Sequence, residues 1–191
     1  SSLMAIAYGA KTLIRGNDDF ILAGGTEAPV SPYGLLCCNT SGQLTRNNDD
    51  AEHSYRPFDK NRDGFAVAEG AGILILEPQF RVQARGAHVY ANIIGYATTT
   101  DGEHRIDPAK DGVTLSRAIR MALADARLEP RDIDYICADG AATPIGDLTE
   151  TMAIKMAFNS YAKKIPVSAP KSIFGNMLGA CGVVDVITTV L

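Results

Sequence analysis

Short apolar segments that are typical of buried strands alternate along this chain with segments whose apolar residues recur at helical spacing. The first helical segment runs over 3–14 and ends before Gly16, and a strand-like run over 20–23 follows it and ends at the next glycines. A second helix is predicted over 113–128, and a strand over 133–138 comes next. Because strands that alternate with helices usually pair in parallel, the pattern predicts α/β architecture with mostly parallel pairing.

Further segments also predict secondary structure or loops. Residues 65–76 predict two strands joined at glycines, and residues 89–96 are rich in β-forming residues. Residues 29–63 contain several prolines and glycines and predict a long functional loop with one short helix. The polar segment 98–111 is predicted to be mobile.

The beginning of the helix after residue 138 is predicted from its capping residues. Asp147 is a suitable N-cap, and Glu150 three residues later completes a capping-box pattern. A short strand over 167–169 and a glycine-rich helix after Lys171 complete the predicted elements.

Charge and hydropathy exclude several classes of function. Of the 191 residues, 46% are hydrophobic and 21% are charged, which suits one folded domain or two small halves. The net charge is −4 and no Lys/Arg-rich run occurs, so nucleic acid and membrane surfaces are not expected as partners. No apolar run reaches the ~18 residues of a membrane span. The sequence therefore predicts a cytoplasmic protein.

Cysteine and histidine spacing does not match a metal site. Cys37 and Cys38 are adjacent, which suits neither a disulfide between them nor the two-residue gap of a zinc site. His53, His88 and His104 lie in polar or strand-edge contexts and are predicted to be solvated. The glycine pairs lack the fingerprint of a dinucleotide or phosphate loop. We therefore predict reduced thiols, no metal and no directly bound cofactor.

Several short motifs resemble the signatures of β-ketoacyl synthases. They lie at 22–28, 55–60, 62–65 and 69–72, and at Lys171 and Ser172 with Gly175, and their order and spacing also fit. The resemblance implies the thiolase-like fold, a five-layer αβαβα sandwich of two related halves. It implies that residues 1–97 are the remainder of the N-terminal half and residues 98–191 the start of the C-terminal half. Missing segments of its own chain would then be among its partners.

The same resemblance points to two substitutions at catalytic positions. Asp139 and Asn176 stand where the family carries its two catalytic histidines, whereas Lys171 and Glu150 match family positions near the active site and are predicted to be structural. Active members use a cysteine at a helix N-terminus, and the residues from Ser1 onward resemble the stretch immediately after it. An aspartate carboxylate only accepts hydrogen bonds, whereas asparagine can still donate to an oxyanion. Asp139 is therefore the decisive change, and no catalytic residue is predicted.

This pattern resembles one subgroup, the chain length factor or ketosynthase β subunit of type II polyketide synthases. Residues 26–29 and 32–34 also resemble that subgroup. The resemblance implies a heterodimer with an active ketosynthase α subunit and an acyl tunnel along the interface. It also implies an acyl carrier protein that delivers the substrate on phosphopantetheine. Leu36, Cys37 and Cys38 lie near that tunnel in the resemblance, either as lining or as core.

The sequence is also compatible with two other functions. One is an active β-ketoacyl-ACP synthase of fatty-acid type with an unusual active site, and the other is a purely structural pseudoenzyme. The residue just before Ser1 discriminates the enzyme from the β subunit. A cysteine there favours the enzyme, whereas glutamine or another residue that is not a nucleophile favours the β subunit.

Overall fold

The computed structural model describes residues 1–16, 18–104 and 106–191 of the chain. Its helices and strands follow one another as α1 (Ser2–Ile14), β1 (Ile21–Glu27), α2 (Pro32–Thr40), β2 (Gly70–Leu76), α3 (Gln79–Ala84), α4 (Val113–Ala126), β3 (Ile136–Cys137), α5 (Pro144–Phe158), β4 (Val167–Ser168), α6 (Lys171–Phe174) and α7 (Cys181–Val190). Short 3-10 turns lie at Ala51–His53, Pro130–Asp132, Asn159–Tyr161 and Leu178–Ala180. The chain divides into two compact units.

The first unit is built on the antiparallel pair of β1 and β2. It comprises Ser1–Ser31, Val67–Ile93 and Asn176–Leu191. Because side chains alternate across a strand, one face of this pair packs on α1 and α7, with a core of Ile6, Ala23, Leu76 and Val183. The opposite face leaves three large apolar side chains exposed, those of Leu22, Ile73 and Ile75.

The second unit is built on the packing of α4 against α5. It comprises Pro32–Ala66 and Ile94–Gly175. The apolar positions that recur along α4 and α5 meet in a core of Leu123, Ile154, Ala157, Phe158 and Ile165. The short strands β3 and β4 pair in parallel, with Ile136 opposite Val167. This pair carries the loop that leads into α5.

The helices agree with the sequence pattern more closely than the strands do. The predicted helices over 3–14 and 113–128 are confirmed as α1 and α4, and Gly16 has the positive φ of +77° that ends α1. The loop over 29–63 contains the predicted short helix as α2. Arg105, within the polar segment 98–111, lies outside the described residues, and the mobility of that segment stays a prediction.

Two predictions about strands are wrong, and one segment rich in β-forming residues is not a strand. The pairing is not mostly parallel, because β1 and β2, the longer pair, are antiparallel. Residues 65–76 contain one strand instead of two, and it begins at Gly70. Phe65 makes only an isolated bridge. Residues 89–96 form no strand, because no ladder partner lies beside them in the described part of the chain. β-forming residues alone do not make a strand without a neighbour to bond.

No helix in the described ranges is both long enough and apolar enough to cross a membrane.

Candidate functional site

The loop between β3 and α5, residues 138–143, carries Asp139 and is held by a carboxylate from α5. Glu150 Oε1 accepts a hydrogen bond from the Asp139 amide at 2.7 Å, and Oε2 accepts one from the Gly140 amide at 2.9 Å. Two consecutive backbone N–H groups are thus satisfied by one side chain. Burial raises the pKa of Glu150, and the hydrogen bonds from these two amides offset part of that rise.

Lys171 holds the same loop from the beginning of α6. Its Nζ donates to the Asp139 carbonyl oxygen at 2.9 Å and lies 3.1 Å from Asp139 Oδ1. The Lys171 side chain is 3% exposed, whereas the Asp139 side chain is 72% exposed. The ammonium therefore lies beneath the loop, and the carboxylate that it pairs with faces outward.

Asp147 supports the far side of the loop, a role that the sequence pattern missed. Its side chain is fully buried, and Oδ2 accepts a hydrogen bond from the Phe58 amide at 2.6 Å and lies 3.4 Å from Arg62 Nε. Burial raises the pKa of Asp147, while the Phe58 amide and the Arg62 guanidinium act in the opposite direction. Arg62 also donates to the carbonyl oxygens of Thr143 and Pro144 at 3.2 and 2.7 Å.

The predicted N-cap of this helix is wrong. Helix α5 begins at Pro144, and its N-cap is Thr143, whose Oγ1 accepts a hydrogen bond from the Gly146 amide at 3.1 Å. Proline at the first helical position after a threonine is itself a strong start signal, and it outweighs the capping-box pattern further along. Asp147 and Glu150 lie within the helix instead, and so they are directed at the loop and at residues 58–62.

Backbone conformation explains why the loop needs small residues. Gly140 has a φ of +51°, and a Cβ atom there would collide with the Cβ of Ala169. Ala142 has a φ of +57° and is fully buried. A positive φ is costly for a residue other than glycine and persists only where surrounding contacts fix it. The loop backbone donates hydrogen bonds to Glu150 and accepts them from Lys171 and Arg62, and these hydrogen bonds hold the loop in place.

Asn176 belongs to the first unit. Its backbone oxygen accepts a hydrogen bond from the Ala68 amide at 2.9 Å, and it forms an isolated bridge with Val67. Its side-chain Oδ1 accepts a hydrogen bond from the Leu178 amide at 2.9 Å, and Cys181 Sγ lies 3.3 Å away. The sequence carries no spacing signal that predicts this contact of Cys181.

The three tunnel candidates lie on helix α2. Leu36 and Cys37 are exposed, and Cys38 is half-buried. Residues 32–40 are helical, so Cys37 and Cys38 do not lie on opposite sides as neighbouring side chains of an extended segment would. Side chains one residue apart in a helix are separated by about 100° around the axis. A role for these residues in lining a tunnel stays a prediction.

The described ranges contain no group of three or more His, Cys, Asp or Glu side chains that could hold a metal ion. His53, His88 and His104 are exposed. His53 Nδ1 lies 2.8 Å from Asp50 Oδ1, and this hydrogen bond raises the pKa of His53.

Two family models cover nearly the whole chain. The β-ketoacyl synthase N-terminal domain matches residues 1–80, and the β-ketoacyl synthase C-terminal domain matches residues 90–191. The chain belongs to the β-ketoacyl synthase family.

Curated relatives of this β-ketoacyl synthase chain include a 3-oxoacyl-[acyl-carrier-protein] synthase and a putative polyketide β-ketoacyl synthase. The 3-oxoacyl-[acyl-carrier-protein] synthase 2 of Staphylococcus aureus is 44% identical over 187 residues, which are 98% of this chain and 46% of that protein. A putative polyketide beta-ketoacyl synthase 1 of Streptomyces cyaneus is 42% identical over 191 residues, which are 100% of this chain and 45% of that protein. The chain thus spans about half the length of the curated relatives it matches.

Solved β-ketoacyl synthase structures share its fold. A type II polyketide synthase acyl-carrier protein in complex with its ketosynthase, bound to the hexaketide, has a TM-score of 0.96 at 36% identity, over 99% of this chain and 47% of that chain. The ishigamide ketosynthase/chain length factor has a TM-score of 0.88 at 35% identity, over 98% of this chain and 44% of that chain. These likenesses confirm the thiolase-like fold, of which this chain carries a part.

Proposed function

We propose that this chain is the non-condensing β subunit, or chain length factor, of a type II polyketide ketosynthase heterodimer. The observation that carries the proposal is the Asp139 carboxylate, which lies 3.1 Å from Lys171 Nζ at the position where the sequence resemblance expects a catalytic histidine. In this function the subunit shapes the acyl tunnel and sets the length of the poly-β-ketone, while its partner performs the condensation.

A carboxylate at this position opposes decarboxylative condensation. Decarboxylation of a malonyl thioester produces an enolate, and attack on an acyl thioester produces an oxyanion, so both steps need hydrogen-bond donors. The Asp139 carboxylate, paired with the Lys171 ammonium, accepts hydrogen bonds only. Loss of one oxyanion donor typically lowers the rate by about 10²–10³-fold, and a negative charge in its place adds repulsion.

Lys171 and Glu150 have a structural role in this proposal. Both bind the backbone of the 138–143 loop, Lys171 at the Asp139 carbonyl oxygen and Glu150 at the amides of Asp139 and Gly140. They keep the shape of the loop, although Asp139 stands where the resemblance expects a histidine that donates hydrogen bonds. Asn176 retains an amide that can donate, so Asp139 accounts for the loss of condensation.

The similar structures support the partners in this proposal. One is a ketosynthase in complex with its acyl-carrier protein, and another is a ketosynthase/chain length factor. By analogy, the partners are a ketosynthase α subunit, an acyl carrier protein that delivers phosphopantetheine-bound substrate, and the segments of the fold that this chain lacks. Residues 1–97 and 98–191 are then parts of the two thiolase-like halves, and the complex is cytoplasmic.

An active β-ketoacyl-ACP synthase of fatty-acid type is the second candidate. The 44% identity to the Staphylococcus aureus 3-oxoacyl-[acyl-carrier-protein] synthase 2 favours it. Identity over a fold does not preserve activity when a reacting group has changed, because function depends on the site. Asp139 therefore argues against this candidate despite the identity.

Exchange of subunits tests the length-setting role. One ketosynthase α subunit is combined in turn with this subunit and with a chain length factor of known, different product length. Each complex receives malonyl acyl carrier protein, and mass spectrometry measures the product lengths. We expect the length to follow the β subunit. The same product length from both complexes would overturn the proposal.

A further inference from the structure

The amide group of Asn176 has a defined orientation. The Leu178 amide is a donor and lies 2.9 Å from Asn176 Oδ1, so the atom that faces it must be the oxygen rather than the nitrogen of the side chain. The two amide positions of an asparagine are otherwise assigned from the hydrogen-bond network, and here a backbone N–H makes the assignment. Nδ2 therefore lies on the other edge of the amide plane.

Cys181 contacts the same oxygen from the first residue of α7. Its Sγ is 3.3 Å from Asn176 Oδ1 and accepts a hydrogen bond from the Met177 amide at 3.1 Å. Because Oδ1 carries no proton, the thiol must donate in the contact with Asn176. The Cys181 residue is 6% exposed, so solvent does not compete strongly for this hydrogen bond.

We propose that Cys181 is a positioning residue that holds the Asn176 amide with Oδ1 inward and Nδ2 presented as a hydrogen-bond donor. No described residue accepts a hydrogen bond from Nδ2. Resting on the proposed function, Nδ2 donates to a carbonyl oxygen of the acyl or poly-β-keto chain. The thiol thus acts through Asn176 and does not touch the chain itself.

Substitutions of Cys181 distinguish a role in packing from a role in hydrogen bonding to Asn176. Cys181→Ala removes both the donor and the volume of the sulfur, whereas Cys181→Val fills that volume with methyl groups but has no donor, and Cys181→Ser keeps a donor in a slightly smaller volume. Cys181→Val and Cys181→Ser therefore separate packing from hydrogen bonding. Asn176→Asp keeps an oxygen toward Leu178 and Cys181 but replaces the Nδ2 donor by an acceptor.

The first measurement is the S–H stretching band of Cys181 in the assembled complex. Subtracting the Raman spectrum of Cys181→Ala from that of the unchanged protein isolates this band among the other thiols. We expect a band in the hydrogen-bonded range that moves to higher frequency in Asn176→Ala. A band at the same frequency with and without the Asn176 side chain would overturn the inference, whatever the outcome for the proposed function.

The second measurement is the fraction of full-length product made by the reconstituted complex. We expect it to fall roughly two- to tenfold in Asn176→Asp, the range for loss of one hydrogen bond, and by about twofold in Cys181→Val. Cys181→Ser should match the unchanged protein. Equal effects of Cys181→Val and Cys181→Ser would overturn the positioning role.

The subunit-exchange experiment separates the two ideas. If the product length follows this subunit while Asn176→Asp leaves the products unchanged, the proposed function stands and this inference fails. If both complexes give the same product length, the proposed function fails. The Raman band alone then decides whether Cys181 orients Asn176.

Discussion

Lys171 binds Asp139 at two points, with Nζ 2.9 Å from the carbonyl oxygen and 3.1 Å from the carboxylate of that residue. The backbone contact fixes the loop, and the side-chain contact neutralises part of the charge that stands in the candidate site. An ammonium that is 3% exposed needs such partners, because an unpaired buried charge is costly. One lysine thus supports both the shape of the loop and its anionic residue.

Replacement of this lysine should destabilise the loop. In Lys171→Met the Asp139 carbonyl oxygen loses its donor, and we expect the free energy of unfolding to fall by about 1–3 kcal/mol, the usual effect of an unsatisfied polar group. Urea denaturation of the assembled protein measures the change. Lys163→Met, at an exposed lysine of the same unit, is the matched control and should change the value by no more than about 0.5 kcal/mol. Equal effects would remove Lys171 from its supporting role.

The second prediction concerns Gly140. Gly140→Ala adds a Cβ at a φ of +51° and brings it into collision with Ala169. Gly42→Ala is the control, because Gly42 has a φ of +74° but no atom within 4 Å of the added Cβ. We expect the control to lose about 1 kcal/mol from the backbone conformation, and Gly140→Ala to lose a further 1–3 kcal/mol, roughly, from overpacking. Thermal unfolding measures the stability of both variants. An equal loss of stability in the two would contradict this prediction.

The raised pKa of Asp147 predicts a specific dependence of stability on pH. For a carboxyl whose folded pKa exceeds its unfolded value of about 3.9, the stabilising contribution is complete below the unfolded value and is lost as the pH rises through the folded value. The free energy of unfolding of the unchanged protein should therefore decrease, relative to Asp147→Asn, as the pH rises above about 4. Urea titrations of both proteins at several pH values measure this difference. A difference that moves in favour of the carboxylate with rising pH would show that Arg62 outweighs burial.

A fourth prediction addresses the tunnel. Cys38 is half-buried on α2, and we expect Cys38→Phe to fill part of the tunnel and shorten the product, since packed cavities tolerate added volume poorly. Cys37→Phe is the control, because that residue is exposed and about 100° away around the helix. Product lengths from the reconstituted complex decide between them. Unchanged lengths for Cys38→Phe with the heterodimer intact would remove Cys38 from the tunnel, and equal shortening by both variants would leave neither residue assigned to it.

The sequence predicted helices well because each helix carries its own periodicity. The apolar positions of α1 and α4 are local, and Gly16 marks the end of α1 through its backbone freedom. Strands depend on a neighbour that the sequence does not reveal, which is why 89–96 reads as β-rich and yet forms no ladder in the described residues. The direction in which β1 and β2 pair is set by the same long-range arrangement.

The sequence likewise predicted only some residues of the candidate site. Motifs pointed to Asp139, Glu150 and Lys171, and the structure brings these three residues together at one loop. The roles of Asp147 and Cys181 depend on which side chains lie beside them in space. Asp147 was mistaken for a cap because an aspartate followed by a glutamate three residues later fits that pattern, although Thr143 and Pro144 begin the helix.

In the proposed function Asp139 makes this subunit unable to condense, and an elongation assay of the purified subunit without a ketosynthase α subunit tests this. It receives acyl and malonyl acyl carrier proteins, and mass spectrometry follows the acyl chain on the carrier protein. Asp139→Asn, which removes the charge and restores a donor, serves as the companion variant. We predict no elongated product from the unchanged subunit alone and elongation after the α subunit is added. Elongated product from the unchanged subunit in the absence of any ketosynthase partner would contradict the account.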